Sequence, residues 1–175
     1  MNVKAPEAPE ATQDTTPAGA ERRKGNQLLR HWERLGADGA LPALADIDPK
    51  ALSTLWRYCF VAVRGRYGLL FTYVGPAVVR GWGVATQHGL EGIPPAVIAM
   101  IEEPAHEAET TGQPALREGQ IANGWGDDLL YRAVALPLSD DGVAISHVIG
   151  LLDYVELRRE VVKGVSIATS CHPRS

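Results

Sequence analysis

The hydrophobic period changes at Tyr58, and that change restricts the chain to a mixed fold more firmly than any other feature. Before it, apolar residues recur at helical spacing. Leu28, Leu29, Trp32 and Leu35 form one stripe, Asn26 can cap it, and Gly36 supplies a C-terminal stop. Asp48-Pro49 reads as a second helix start, an acidic cap followed by proline at the first helical position, with Ala51, Leu52, Leu55 and Trp56 as its buried stripe. After Tyr58, residues 59–63 and 67–74 are rich in β-branched and aromatic residues and flank Arg64-Gly65-Arg66, which predicts a β-hairpin. Gly75-Pro76 ends that hairpin, and residues 76–85 suit a short helical turn. Pro94-Pro95 opens a further helix carrying Val97, Ile98 and Ile101, with Pro104 expected to kink or break it. Residues 115–121, 129–138 and 146–154 are strand-like. Asn123-Gly124, the pair preferred in a tight hairpin, and the turn Ser139-Asp140-Asp141-Gly142 separate them. Residues 155–162 are expected to leave the sheet as a short terminal helix. The order predicts an α+β domain with a five-stranded antiparallel sheet, a helical crossover and N-terminal helices.

A chain of 175 residues, 45% of them hydrophobic and 22% charged, can bury a full core without disulfide or metal support. Residues 1–25, dominated by Ala, Pro, Thr and Glu, carry too little apolar surface to offset their ordering entropy and read as a disordered tail. Residues 26–162 then form a single domain, and 163–175 a flexible C-terminal tail. A formal net charge of −4 argues against a nucleic-acid partner or an anionic membrane surface. Arg158-Arg159 is flanked by Glu156 and Glu160, so no continuous basic stripe forms there. No apolar run approaches the roughly 18 residues of a membrane span. The N-terminus has no signal-peptide core, and Cys59 and Cys171 make neither a CxxC motif nor a disulfide framework. These features fit a cytoplasmic setting.

Residue types that carry chemistry are present but not assembled. Glu103 and His106 have the ExxH spacing of a di-iron helix, yet there is no second copy, and an exposed Glu and His near a helix end is the plainer reading. His88 in the crossover can serve as an axial haem ligand, or simply face solvent beside Gly89. His31 falls at the polar edge of the first helix, His147 starts a strand and His172 lies in the tail. Ser146 and His147, adjacent on a strand, are expected to point to opposite faces without bonding side chain to side chain. Asp140-Asp141 suits a turn rather than paired acid–base catalysis. No nucleophile elbow, zinc-protease motif or phosphate loop is present, and no metal site or cofactor is expected. Trp82 and Trp125 sit in Gly81-Trp82-Gly83 and Gly124-Trp125-Gly126, with Tyr73 and Tyr131 on strands. Such rings can line a pocket for a small apolar or aromatic ligand, or pack as core.

Several segments taken together resemble a known family. Trp32-Glu33-Arg34, Leu41-Pro42 and Asp46-Ile47-Asp48-Pro49 look like the N-terminal signature of small stand-alone bacterial PAS-domain proteins, common in alphaproteobacteria. Tyr73-Val74-Gly75, Thr111-Gly112-Gln113-Pro114, Tyr131-Arg132, the run from Leu136 to Gly142, and Ile149-Gly150 with Tyr154 match that family's later strands and turns. The match covers roughly residues 28–156. The resemblance implies a regulatory sensor without enzymatic activity or a common cofactor, acting through a protein partner, in some members for control of motility or the cell cycle. The crossover departs from the family's Gly-Arg-Asp/Glu-Leu-Thr-Gly-like run and reads Gly81-Trp82-Gly83-Val84-Ala85-Thr86-Gln87-His88-Gly89. It contains no cysteine, which excludes the covalent flavin photocycle of PAS-class photosensors.

The expectation is therefore a sensory or regulatory PAS-like module. Tyr73, Trp82, His88, Trp125 and Tyr131 are its ligand-pocket candidates. Leu28, Leu29, Trp32 and Leu35 are candidates for an interaction surface, foremost in a homodimer, with cover for the chain's own sheet as the other reading. A small α+β enzyme with an unrecognised site is the alternative function.

Overall fold

The computed structural model describes residues 18–80, 82, 92–123 and 125–157, with side chains from Arg23 onward. Helix α1 (Ala18–Leu35) is followed by turns and then by strands β1 (Cys59–Gly65) and β2 (Gly68–Val74). Helices α2 (Pro76–Arg80) and α3 (Pro95–Thr111) come next, then strands β3 (Ala115–Ala122), β4 (Asp128–Leu138) and β5 (His147–Leu157). The strands form one five-stranded sheet in the order β2-β1-β5-β4-β3, and every pairing is antiparallel. A hairpin, a helical crossover and three further strands are thus joined in one sheet, the PAS-type arrangement expected from the sequence.

Alternation along the strands divides the core in two. On the inner face Phe60, Ala133, Ala135, Val148 and Leu152 pack against Val97, Met100, Ile101, Ala105 and Ala108 of α3 and against Val78 and Val79 of α2. On the outer face Val61, Val134, Leu136, Ile149 and Leu151 lie with Leu28 of α1 and with Leu52 and Leu55 of the turns before β1. Neighbouring residues of β4 therefore serve different cores: Ala133 and Ala135 the inner, Val134 and Leu136 the outer.

Helix α1 begins eight residues before the start expected at Asn26, and Asn26 is an exposed interior position rather than a cap. The tail boundary at residue 25 is corrected accordingly. Apolar content missed this part because two other contacts hold it. Gly25 is buried where the helix crosses β4, and a Cβ there would stand 3.1 Å from Val134 Cγ2. Lys24 Nζ reaches Asp153 Oδ2 of β5 at 2.5 Å. At the other end the helix stops as expected, with the Gly36 amide bonded to the Trp32 carbonyl at 3.0 Å.

The apolar stripe of α1 lies over the chain's own sheet. Leu28 is fully buried, Leu29, Trp32 and Leu35 are half-buried against the outer core, and Trp32 Nε1 donates to the Pro137 carbonyl at 2.8 Å. The stripe thus covers the chain's own sheet, the second of the two readings given to it, and Leu29, Trp32 and Leu35 keep part of their surface exposed. Trp32→Phe keeps the ring packing and leaves that carbonyl unpaired. It should cost about 1 kcal/mol in chemical denaturation, with no change of oligomeric state by light scattering. A shift in oligomeric state would assign the stripe to an interface as well.

Three other expectations change. The segment after Asp48-Pro49 forms successive turns and a 3-10 turn at Trp56–Tyr58, not an α-helix. Asp48 Oδ1 accepts the Lys50 amide two residues on, a local bond that favours a turn, and Ala51 stays exposed while Leu52 and Leu55 are buried. Helix α3 continues through Pro104 to Thr111 and closes on Gly112 at φ 67°. Burial of Pro104 with Met100, Ile101, Ala105 and Ala108 compensates for its missing backbone bond. Asn123-Gly124 does not make a two-residue hairpin. The Asn123 side chain instead accepts the amides of Trp125 and Asp127, at 3.0 and 2.8 Å, and closes a longer loop. Residues up to Leu157 belong to β5, so the expected terminal helix does not begin at 155, and its remainder lies outside the described residues.

Candidate functional site

The pocket candidates are distributed over both faces and one loop. Trp82 and Tyr131 each pack against the border of the inner core, as do Ile93, Ile98 and Ile121. Tyr131 sets the hydroxyl end of its ring against its cross-strand partner Gly119. A Cβ on that glycine would fall 2.8 Å from the ring. Trp82 Nε1 is buried and has no hydrogen-bond acceptor among the described residues. Tyr73 is on the opposite face, stacked on Trp56 at 5.1 Å, with its hydroxyl donating to the Trp56 carbonyl at 3.1 Å. Burial raises its pKa above the usual tyrosine value, as suits a packed structural phenol. Trp125 is 62% exposed at the loop between β3 and β4. His88 lies outside the described residues.

The inner face directly above β5 is occupied by protein. Phe60 is fully buried, meets Phe71 edge to face at 5.8 Å, and lies against Gly150, its register partner on β5. Cys59 is on the other side of the sheet, in the outer core, where its thiol donates to the Leu55 carbonyl at 3.4 Å. Burial pushes its pKa up to about 12, which makes it an inert packing residue. Its position does not fit the cysteinyl flavin adduct of PAS-class photosensors.

Two constellations weighed from sequence resolve into local structure. Because α3 is unbroken, Glu103 and His106 do share a helical face, and both side chains are mostly exposed. Glu103 is bonded to Arg117 at 3.0 Å, and His106 Nδ1 lies 3.3 Å from Glu109. Among the described residues no three His, Cys, Asp or Glu side chains gather as a metal site. Ser146 and His147 do touch, contrary to expectation: His147 Nδ1 is 3.0 Å from Ser146 Oγ and 3.3 Å from Asp140 Oδ2. Their position at the strand entrance, outside the regular alternation, permits it. Both contacts use the same ring nitrogen, whereas a proton relay needs one on each. Asp141 Oδ1 accepts the amides of Val143 and Ala144, each at 2.8 Å, and those bonds hold its carboxyl below the usual aspartate range. Its role is to build the turn.

Two open clefts flank this framework. One, of about 580 Å³, lies between the hairpin tip and α3 and is lined by Tyr67, Leu69, Glu102 and His106 among others. The other, of about 240 Å³, separates α1 from the turns before β1. His31 lines the second cleft and is only 8% exposed, not at a polar edge as its position beside Trp32 suggested. Reading along the apolar stripe missed a second stripe, Gln27, Arg30, His31 and Arg34, whose own helical spacing was the available signal.

No protein-family model matches the chain, and no curated protein matches it. Solved structures similar in fold include a light-oxygen-voltage domain studied with a flavin analogue, at 13% identity. It covers 61% of this chain and 82% of its own, with a TM-score of 0.47. The light-oxygen-voltage protein of Rhodobacter sphaeroides is 12% identical and covers 66% and 71% of the two chains, with a TM-score of 0.42. A PAS domain from Colwellia psychrerythraea is 9% identical and covers 61% and 95%, with a TM-score of 0.41.

Proposed function

We propose that the chain is a regulatory or sensory module of the PAS type. It signals through a protein partner, in the cytoplasm, and takes a small apolar or aromatic ligand at the face formed by Trp82 and Tyr131. One observation carries this reading: the sheet is a single layer shared by two separate cores. A ligand that seats Trp82 against Ile121 and Tyr131 on β3 and β4 displaces strands whose alternate residues, Val134 and Leu136, form the bed of α1. Close-packed interiors pass on such shifts rather than absorb them. The buried indole N–H of Trp82 asks for an acceptor, so a ligand carbonyl or ring nitrogen fits this face better than a pure hydrocarbon. Motility or cell-cycle control rests on the sequence resemblance alone.

Native mass spectrometry of the purified protein, before and after adding a lysate fraction of small metabolites, tests the reading. The expected result is a non-covalent adduct that Trp82→Phe weakens by about tenfold through loss of one hydrogen bond to the ligand. A bare wild-type mass under both conditions overturns the ligand part. The enzyme alternative has a separate readout. Ester or amide turnover abolished by Ser146→Ala would replace the regulatory reading.

A further inference from the structure

The α1 wall of the second cleft carries hydrogen-bond donors, and the opposite wall adds the apolar Ala51, Leu52 and Leu55. Arg30, His31 and Arg34 of α1 line it with Gln27, and Thr54 faces them from the turns before β1. Arg34 Nη2 stands 2.6 Å from His31 Nδ1. A guanidinium can only donate, so Nδ1 is the acceptor and the imidazole hydrogen is on Nε2. That Nε2–H is buried and has no acceptor among the described residues, although His31 is more than nine-tenths buried. Burial first, and then the charge of Arg34, lower the His31 pKa, with Asp48 opposing them. This agrees with a neutral ring. Asp48 Oδ1 is itself engaged, accepting the Lys50 amide.

Two exposed guanidiniums beside a buried, unsatisfied N–H call for a ligand that is negatively charged and accepts in several directions. We infer that the α1 cleft is a binding site for a small phosphate oxyanion, either free or carried as the terminal phosphate of a soluble metabolite. A volume of about 240 Å³ suits this, because it falls below the roughly 300–1,000 Å³ typical of pockets that enclose larger ligands. One wall of the site is α1, which lies on the outer core, and the other is the segment that leads into β1. Binding therefore ties the N-terminal helix to the sheet, independently of any ligand at Trp82.

The test follows the imidazole of His31 by nitrogen–proton NMR while inorganic phosphate is titrated at constant ionic strength, with sodium chloride as the matched control. A saturable shift of the His31 Nε2–H signal is expected with phosphate and not with chloride. Arg30→Gln, which leaves the Arg34–His31 bond in place, and Arg34→Gln should each weaken binding by about tenfold, with the thermal transition of the unliganded protein kept. The same titration with glycerol 3-phosphate separates the sources: a response identifies a carried phosphate, and silence beside a phosphate response a free one. An identical shift with chloride overturns the site, and so does phosphate binding unaltered by both arginine variants. Native mass spectrometry of Trp82→Phe keeps this outcome distinct from failure of the inner-face reading.

Discussion

Gly150→Ala should destabilise the fold by about 3 kcal/mol or more, near the upper end of overpacking substitutions. The Cα of Gly150 faces the inner core at the centre of the sheet, between Phe60 on β1 and Ala135 on β4. An added methyl would sit 2.0 Å from Phe60 Cζ and 2.5 Å from the Val134 carbonyl oxygen. Neither neighbour can yield cheaply. Phe60 is fully buried and packed edge-on against Phe71, and the carbonyl belongs to the central ladder of β4. For a domain of this size the loss corresponds to a fall in Tm of roughly 10 °C. Adding Phe60→Leu to Gly150→Ala should recover part of the loss, because it removes the ring contact and leaves the carbonyl contact. The two changes are therefore expected to be non-additive by at least about 1 kcal/mol. A Gly150→Ala protein within about 0.5 kcal/mol of wild type would show that Phe60 does not fill the space above β5. It would also leave that space open to a ligand.

What the sequence disclosed, and what it hid, follows the range of the interaction responsible. The strands were legible because period-2 patterning and β-branched residues are local signals, and β1, β2 and β4 fall within a residue or two of their expected bounds. The helix expected after Asp48-Pro49 failed for a reason on the same scale: the Asp48 side chain bonds the Lys50 amide and holds a turn there instead. Pro104 failed in the other direction. Its local penalty is real, but the helix is decided by a buried face that only the sheet supplies. The site was less legible than the fold. Glycine-flanked aromatics look alike in sequence, yet Trp82 joins the inner core while Trp125 projects from a loop. Tyr73 went to the outer core because strand parity, which a bulge between Val61 and Ala62 complicates in the paired hairpin, sets the face. His31 was hidden by its neighbour: Trp32 marks the apolar stripe, and what buries His31 is a chain segment some twenty residues further on.

The N-terminal boundary gives the sharpest remaining test, because sequence and structure disagree about residues 18–25. Composition assigns them to a tail, whereas α1 already includes them and fastens there to β5. Asp153 is 5% exposed, and Lys24 Nζ is its ion-pair partner at 2.5 Å while also lying 3.9 Å from the centroid of the Tyr58 ring. Arg132, the cross-strand neighbour of Asp153, is engaged instead with Glu118 at 3.2 Å. Lys24→Met keeps most of the aliphatic stem but withdraws the charge, leaving a buried carboxylate without its ammonium. The expected cost is about 2 kcal/mol, below the 3–5 kcal/mol of fully buried pairs because the lysine side chain is about a quarter exposed. Asp153→Leu in the Lys24→Met background should recover most of that loss, since an apolar pair of similar volume avoids the desolvation altogether. Chemical denaturation of the two single variants and the double variant yields the coupling. Deleting residues 1–24 should reproduce the Lys24→Met loss at least in full. If the thermal transition of that truncated protein stays where the full chain has it, α1 contributes nothing before Gly25 and the domain starts within a residue of where the sequence alone placed it.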